Sequence, residues 1–135
     1  MLPFEVSFRG GESPYRQIVY AATKAIVSGE LTPGDAFPSV RELSQALKIN
    51  PNTGQKVIAE LTRDGLLEVR PGIGTVVAAA PARRGSADER RALLSHDVER
   101  LVVEARRLGL TKTELMKAVT ARWDALFETD AEVKR

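Results

Sequence analysis

The sequence predicts a mainly helical protein with one small β-hairpin, an α+β fold that continues into a C-terminal helical region. Two short amphipathic segments follow Ser39 and Asn50, which are typical helix N-caps. A Gly-rich turn at residues 71–74 then separates two short runs that favour strands. Beyond residue 86, apolar residues recur every three or four positions, which is typical of helices packed against each other.

The first helix is predicted from its capping signals. Residues 4–8 alternate between apolar and polar, so we expect a short opening strand there. Ser13 as N-cap and Pro14 at the first helical position favour a helix start, and Gly29 favours its end. Its apolar residues recur at helical spacing: Tyr15, Ile18, Ala22, Ala25 and Ile26.

Two further helices and a hairpin complete the first 80 residues. Ser39 and Glu42 form a capping box for helix two, and Asn50 caps helix three, which ends at Gly65. The residues expected to face inward are Val40, Leu43, Leu47, Val57, Ile58 and Leu61. Two strands follow, at 67–70 and 75–79. This order predicts a winged helix-turn-helix domain over residues 1–80, with the start of helix three in the major groove.

The rest of the chain is predicted to form a linker and two helices. Residues 81–86 contain Pro, Gly and small residues, so we expect a linker there. Ser86 and Thr111 favour two helix starts within residues 87–135, and Gly109 favours an end. Their apolar stripes need cover from the N-terminal domain or from a second copy: Leu94, Val98, Leu101, Ala105, Leu108, Leu115, Val119, Trp123 and Leu126.

Composition bounds the class of protein. The 135 residues are 43% hydrophobic and 28% charged, as in folded water-soluble domains, and include no cysteine. Disulfides and thiolate metal sites are therefore excluded, and we expect a cytoplasmic protein without a signal peptide or membrane span. Residues 1–80 carry eight basic and eight acidic side chains, so any DNA binding must depend on where individual charges point.

Residues 13–77 resemble the GntR family of bacterial transcription regulators. The resemblance is carried by residues 15–18, 28–31, 33–35, 38–43, 64–67 and 72–75, taken together and in this order. The residues at 50–53 and 104–110 resemble the YtrA subfamily in particular.

The resemblance implies a homodimer joined through its C-terminal helices that binds an inverted-repeat operator, most often as a repressor and often of a transporter operon. About 55 residues follow the wing, too few for the large effector-binding domain of other GntR branches. The sequence identifies no effector and does not separate repression from activation.

The resemblance and the helix positions predict which residues contact double-stranded DNA. Arg41 is the leading candidate, since an Arg side chain can donate two hydrogen bonds to one guanine. The full set is Ser39, Arg41, Asn52, Thr53, Gln55, Lys56, Arg70, Gly72, Gly74 and Thr75. Capping alone also explains Ser39, turn geometry also explains the glycines, and Lys56 also suits a solvated position.

Gly54 departs from the family, where a bulky aliphatic residue is usual. Its spacing places it on the inward face of helix three, and we expect an underpacked site at which Gly54→Val raises thermal stability.

Two other classes of function remain open: a nonspecific DNA binder and a protein-interaction module. Neither an enzyme nor a cofactor or metal site is expected, because His96 is the only histidine and Asp97 beside it faces another direction.

Overall fold

The computed structural model describes residues 2–79 and 85–127. The chain divides into two compact units, Met1–Arg83 and Arg84–Arg135. We call the first the winged unit and the second the helical unit. Most of the predicted linker, at residues 81–84, lies outside the described residues, as do residues 128–135 of the predicted helical region.

The winged unit contains three helices and one antiparallel hairpin. The elements are α1 (Pro14–Val27), α2 (Val40–Leu47), α3 (Pro51–Arg63), β1 (Leu67–Arg70) and β2 (Gly74–Val77). All three helix starts are confirmed, with side-chain oxygens of Ser13, Ser39 and Asn50 accepting backbone N–H groups of the first turn. Each serine or asparagine thus satisfies a donor that the helix itself leaves unpaired.

One core lies between the three helices and the hairpin. The side chains of Ile18, Leu43, Val57 and Leu61 are fully buried, and Val77 of β2 closes the cluster. The helical spacing of these residues is what places one from each helix on the same interior face. Of the residues expected inside α2 and α3, Val40, Leu47 and Ile58 are half-buried at the edge of the core.

The predictions for strands need three corrections. Residues 4–8 form no strand: Phe4 is buried and stacks on Phe37, with ring centroids 5.5 Å apart, whereas Phe8 is exposed. β2 begins at Gly74 and ends at Val77, whereas the sequence suggested 75–79. Residues 34–37, for which no strand was predicted, pair with β2 through Ala36 opposite Val76.

The helical unit contains α4 (Ala87–Ala92), a π-helical turn (Leu93–Asp97), α5 (Val98–Arg107) and α6 (Lys112–Leu126). The capping box of Ser86 and the cap at Thr111 are confirmed. The π turn was not predicted, and the hydroxyl of Ser95 donates to the Arg91 carbonyl, 2.7 Å away, beside it.

Candidate nucleic-acid interface

Ser39 holds the start of α2 in place. Its hydroxyl oxygen accepts from the Glu42 N–H at 3.1 Å, and the Glu42 carboxylate accepts from the Ser39 N–H at 3.2 Å. Two residues on, Arg41 is exposed and makes no ion pair with any residue that the structure describes. The guanidinium of Arg41 is therefore available to a ligand, while the Ser39 side chain already has a structural partner.

The first two turns of α3 present a polar face. Asn50 caps the helix, its Oδ1 accepting from the Asn52 N–H at 2.8 Å. The side chains of Asn52, Gln55 and Lys56 are exposed, and their spacing places them on one side of the helix. Thr53 lies beside them and is half-buried. Asn and Gln side chains at a helix start are suited to hydrogen bonds with base edges, and Lys to phosphate.

The core face of α3 fixes how that polar face is presented. Gly54, Val57 and Leu61 are buried on the opposite side. In addition, Tyr15 of α1 contacts Glu60 of α3. Burial, together with the Glu60 carboxylate that accepts its hydrogen bond, raises the pKa of the Tyr15 hydroxyl above its ordinary value. The protonated hydroxyl donates to the Glu60 carboxylate and so links α1 to α3.

The wing turn depends on two glycines. Gly72 and Gly74 have φ of 80° and 119°, which side chains disfavour. Turn geometry is therefore sufficient to explain both. Between them, Ile73 is 72% exposed at the tip. Thr75 is half-buried and pairs with Val69 in the hairpin ladder.

Arg70 has a partner that the sequence reasoning missed. Its Nε and Nη2 both donate to Oε1 of Glu68, at 3.1 and 2.9 Å. The signal was present, because residues i and i+2 of a strand project from the same face. Both side chains remain about 40% exposed, at 43% and 40%, so a phosphate can compete for the guanidinium.

A backbone ladder joins the wing to the start of α2. The Phe37 N–H donates to the Thr75 carbonyl, and the Gly34 N–H donates to the Val77 carbonyl, both at 2.9 Å. Phe37 lies two residues before the cap of α2. The structure thus brings the candidate residues of α2, α3 and the wing onto one compact unit, which separate segments of sequence could not establish.

Gly54 lies on the inward face as expected, but the expectation of an underpacked site was wrong. A Cβ built on Gly54 would lie 2.6 Å from the Ser44 hydroxyl oxygen and 3.5 Å from Val40. The inward face is therefore already filled at this point. The predicted gain in thermal stability for Gly54→Val does not follow from such a contact, because a larger side chain must displace the Ser44 hydroxyl or one of the two helices.

The helical unit leaves most of its predicted stripes exposed. Only Ala105 is buried, while Leu115 and Leu126 are half-buried. Substantial exposed fractions are found at Leu94 (70%), Val98 (42%), Leu101 (48%), Leu108 (61%), Val119 (45%) and Trp123 (66%). Exposed apolar surface on this scale is unusual for a folded unit and is typical of surfaces that bind a partner.

Within residues 2–79 and 85–127, no group of three or more His, Cys, Asp and Glu residues is placed to hold a metal ion. Across the same residues, no helix is long and apolar enough to cross a membrane. His96 is exposed in the π turn.

Three capped helices, an exposed polar helix start and a short hairpin define a winged helix-turn-helix DNA-binding protein. The profile of bacterial regulatory proteins of the gntR family matches residues 14–77. The uncharacterized HTH-type transcriptional regulator YhcF of Bacillus subtilis is 37% identical over 83% of this chain and 91% of its own. The chain belongs to the GntR family and is a transcriptional regulator with a GntR DNA-binding domain, not an enzyme.

Other relatives extend the likeness beyond the winged unit. The HTH-type transcriptional repressor YtrA of Bacillus subtilis is 29% identical over 82% of this chain and 85% of its own. A GntR family transcriptional regulator from Listeria monocytogenes has a TM-score of 0.61 at 28% identity, covering 84% of this chain and 98% of the other. YtrA from Sulfolobus acidocaldarius shares the fold, with a TM-score of 0.52 at 24% identity over 97% and 99% of the two chains.

Proposed function

We propose that this regulator is a homodimeric repressor that binds an inverted-repeat operator and blocks transcription by occupying it. The observation that carries the proposal is the polar face of α3, where Asn52, Gln55 and Lys56 are exposed opposite a fully packed core. A helix held rigidly by its buried face can present these side chains to base edges in a fixed register.

We assign base reading to Arg41, Asn52 and Gln55. The Arg41 guanidinium has no competing carboxylate among the described residues. The side-chain amides of Asn52 and Gln55 are not needed for capping, since Asn50 supplies the cap. Thr53, Lys56 and the wing, through Arg70, Gly72, Gly74 and Thr75, supply contacts to the phosphate backbone. Phosphate contacts set affinity and its salt dependence, whereas base contacts set the preferred sequence.

The exposed stripes of α5 and α6 support the dimer. Leucine, valine and tryptophan side chains on both helices stay in water in a single chain, and pairing two copies would cover them. A two-fold pair places two α3 helices on one side of the duplex, about one helical turn apart, which is the geometry that an inverted repeat requires. The helical domain 87–135 is thus proposed as the dimerisation region, with 81–86 as its linker to the domain 1–80.

Repression is proposed because a relative, the HTH-type transcriptional repressor YtrA of Bacillus subtilis, is a repressor. Resemblance to its subfamily favours a transporter operon as the target. A protein that acts on a bacterial chromosome works in the cytoplasm, which is the compartment we propose.

The test is selection of bound duplexes from a random pool by the full chain at near-physiological salt. We expect recovery of an inverted repeat whose half-sites are centred about 10 base pairs apart. Recovery of no motif, with weak retention that is lost as salt rises, would contradict a specific dimeric regulator and support nonspecific binding.

Arg41→Ala tests the assignment of base reading. Losing two hydrogen bonds to a base should weaken operator binding by about 1–3 kcal/mol and relax preference at one position of each half-site. The matched control is Arg63→Ala, since Arg63 lies at the far end of α3 and pairs with Glu60 at 2.6 Å. Fluorescence anisotropy with operator and scrambled duplexes measures both. Equal losses on the two duplexes would assign Arg41 to phosphate.

A role as a protein-interaction module is the second candidate. It is favoured by the balance of eight basic and eight acidic side chains in residues 1–80, which gives the unit no overall attraction to DNA. In that case Arg41→Ala should leave binding to every duplex unchanged.

A further inference from the structure

Two small residues, Gly54 and Ser44, lie against each other where α2 packs on α3. Gly54 is buried at the fourth position of α3, and Ser44 of α2 is only 6% exposed. A Cβ on Gly54 would lie 2.6 Å from the Ser44 Oγ, which is too close for nonbonded carbon and oxygen atoms. Any other L-residue at position 54 therefore requires the Ser44 hydroxyl or one of the helices to move.

Ser44 contributes the other half of this contact. Its Oγ is buried and has no hydrogen-bond partner within the described part of the chain. A buried hydroxyl without a partner disfavours the folded state, so hydrogen bonding does not explain a serine here. What the pair does achieve is a close approach of the two helices.

The remaining neighbours of position 54 are at ordinary distances. The Cγ1 and the carbonyl oxygen of Val40 are both 3.5 Å from the built Cβ, and only Ser44 Oγ is nearer. The close contact consequently depends on one oxygen atom. Removing that atom by Ser44→Ala should make room for a methyl group at position 54.

The position of the contact connects it to the DNA-reading side chains. Arg41 precedes Ser44 by three residues, about one helical turn, while Thr53 and Gln55 flank Gly54 directly. A shift of α3 at Gly54 therefore changes how far these side chains lie from Arg41. Hydrogen bonds to base edges weaken outside donor–acceptor distances of about 2.7–3.2 Å, so small displacements alter which bases are accepted.

We propose that Gly54 and Ser44 form a matched pair that sets the spacing of α2 and α3, making Gly54 a positioning residue for operator specificity. The proposal rests on the operator-binding function proposed above. Gly54 touches no base in this role and acts through Arg41 on one helix and Asn52 and Gln55 on the other.

The test combines Gly54→Ala with Ser44→Ala, in the full chain. We expect Gly54→Ala to fold, since Ala favours helices over Gly, and to lose about tenfold in operator affinity without a matching loss on scrambled duplex. Selection from a random pool should show altered base preference. Ser44→Ala in the same chain should return operator affinity to within about twofold of the starting protein, because the remaining contacts begin at 3.5 Å.

Two single substitutions serve as controls. Ser44→Ala alone should keep the operator preference, since it adds no atom to the contact. Gly10→Ala should change nothing, because a Cβ there meets no atom within 4 Å. Should Gly54→Ala fail to fold by circular dichroism, Ser44→Thr adds a methyl group from the side of α2 and must shift the base preference instead.

The proposal is overturned if folded Gly54→Ala keeps the base preference and operator affinity, or if the double variant folds but does not regain them. In the fallback case, unchanged preference in Ser44→Thr overturns it. These results leave the operator-binding function intact when the starting protein selects an inverted repeat. Failure of the starting protein to select any motif would overturn both proposals.

Discussion

The two units of this chain bury their apolar residues to opposite extents. In the winged unit, Ile18, Leu43 and Leu61 are fully inaccessible to solvent. Among the described residues of the helical unit, Ala105 alone is buried, and Trp123 is 66% exposed. Both units have capped amphipathic helices, so helix formation is not what separates them.

The difference shows that the local signals for helix formation can be present whether or not the apolar side chains of the helices are buried. The winged unit has three helices and a hairpin around one interior, so each apolar stripe finds a partner within the unit. Over residues 85–127, the helical unit has two stripes and too few elements to cover them. Its helices are specified by sequence, whereas tertiary contacts supply most of the stability of such helices.

The largest expected effect on stability lies in the winged core. Leu61→Ala should lower the free energy of unfolding of the winged unit by about 2–5 kcal/mol, because it leaves a cavity at a fully buried site. Val69→Ala, at a side chain that is 67% exposed, is the control and should cost less than about 0.5 kcal/mol. Urea denaturation followed by circular dichroism measures both. Similar losses would contradict the packing described for the winged unit.

Leu101→Glu tests whether a second copy covers the helical unit. A charge in the exposed apolar stripe of α5 should raise the dimer dissociation constant at least about a hundredfold. The control is Val103→Glu, on another side of α5 at a side chain that is 61% exposed. Sedimentation equilibrium separates the two variants. A starting protein that is monomeric at micromolar concentration would exclude dimerisation through this stripe.

The two capping boxes allow a matched comparison between units. Ser39→Ala should destabilise the winged unit by about 1 kcal/mol, because α2 packs into its core and loses a satisfied N–H. Ser86→Ala removes the same hydrogen bond from α4, which has no buried residue, so fraying of its first turn should be the main effect. Amide hydrogen exchange distinguishes global from local loss. Equal global losses from both variants would show that α4 is coupled to a packed core.

The smallest effect is expected at the wing. Glu68→Gln weakens the ion pair with Arg70 and removes a negative charge, so DNA affinity should rise about twofold. The slope of log affinity against log salt concentration should steepen by about one unit, as for one additional phosphate contact. Glu104→Gln breaks the corresponding pair with Arg107 in the helical unit and should leave DNA affinity unchanged. Titrations at several salt concentrations measure both slopes. An unchanged slope for Glu68→Gln would argue that Arg70 does not approach phosphate.

Sequence alone predicted the features that depend on neighbouring residues. The caps at Ser13, Ser39 and Asn50 and the inward face of α3 are all consequences of short-range spacing. These are enough to locate the three helices and the hairpin of the winged unit.

Features that depend on distant residues were missed. Pairing of residues 34–37 with β2 joins segments about forty residues apart, and the fit of Gly54 against Ser44 depends on how two helices cross. The Glu68–Arg70 pair was within reach of strand periodicity, whereas the π turn has no comparable spacing signal. Which of the candidate side chains touch DNA remains a prediction.

The exposed apolar stripes of the helical unit have a consequence for how a cell would use the protein. When the competent DNA-binding form is a pair, and most chains are single, the amount of that form rises with the square of chain concentration. Halving the supply of protein would then reduce operator occupancy about fourfold at low occupancy. A change in gene dose or in the rate of degradation would therefore be amplified at the promoter, without any small molecule.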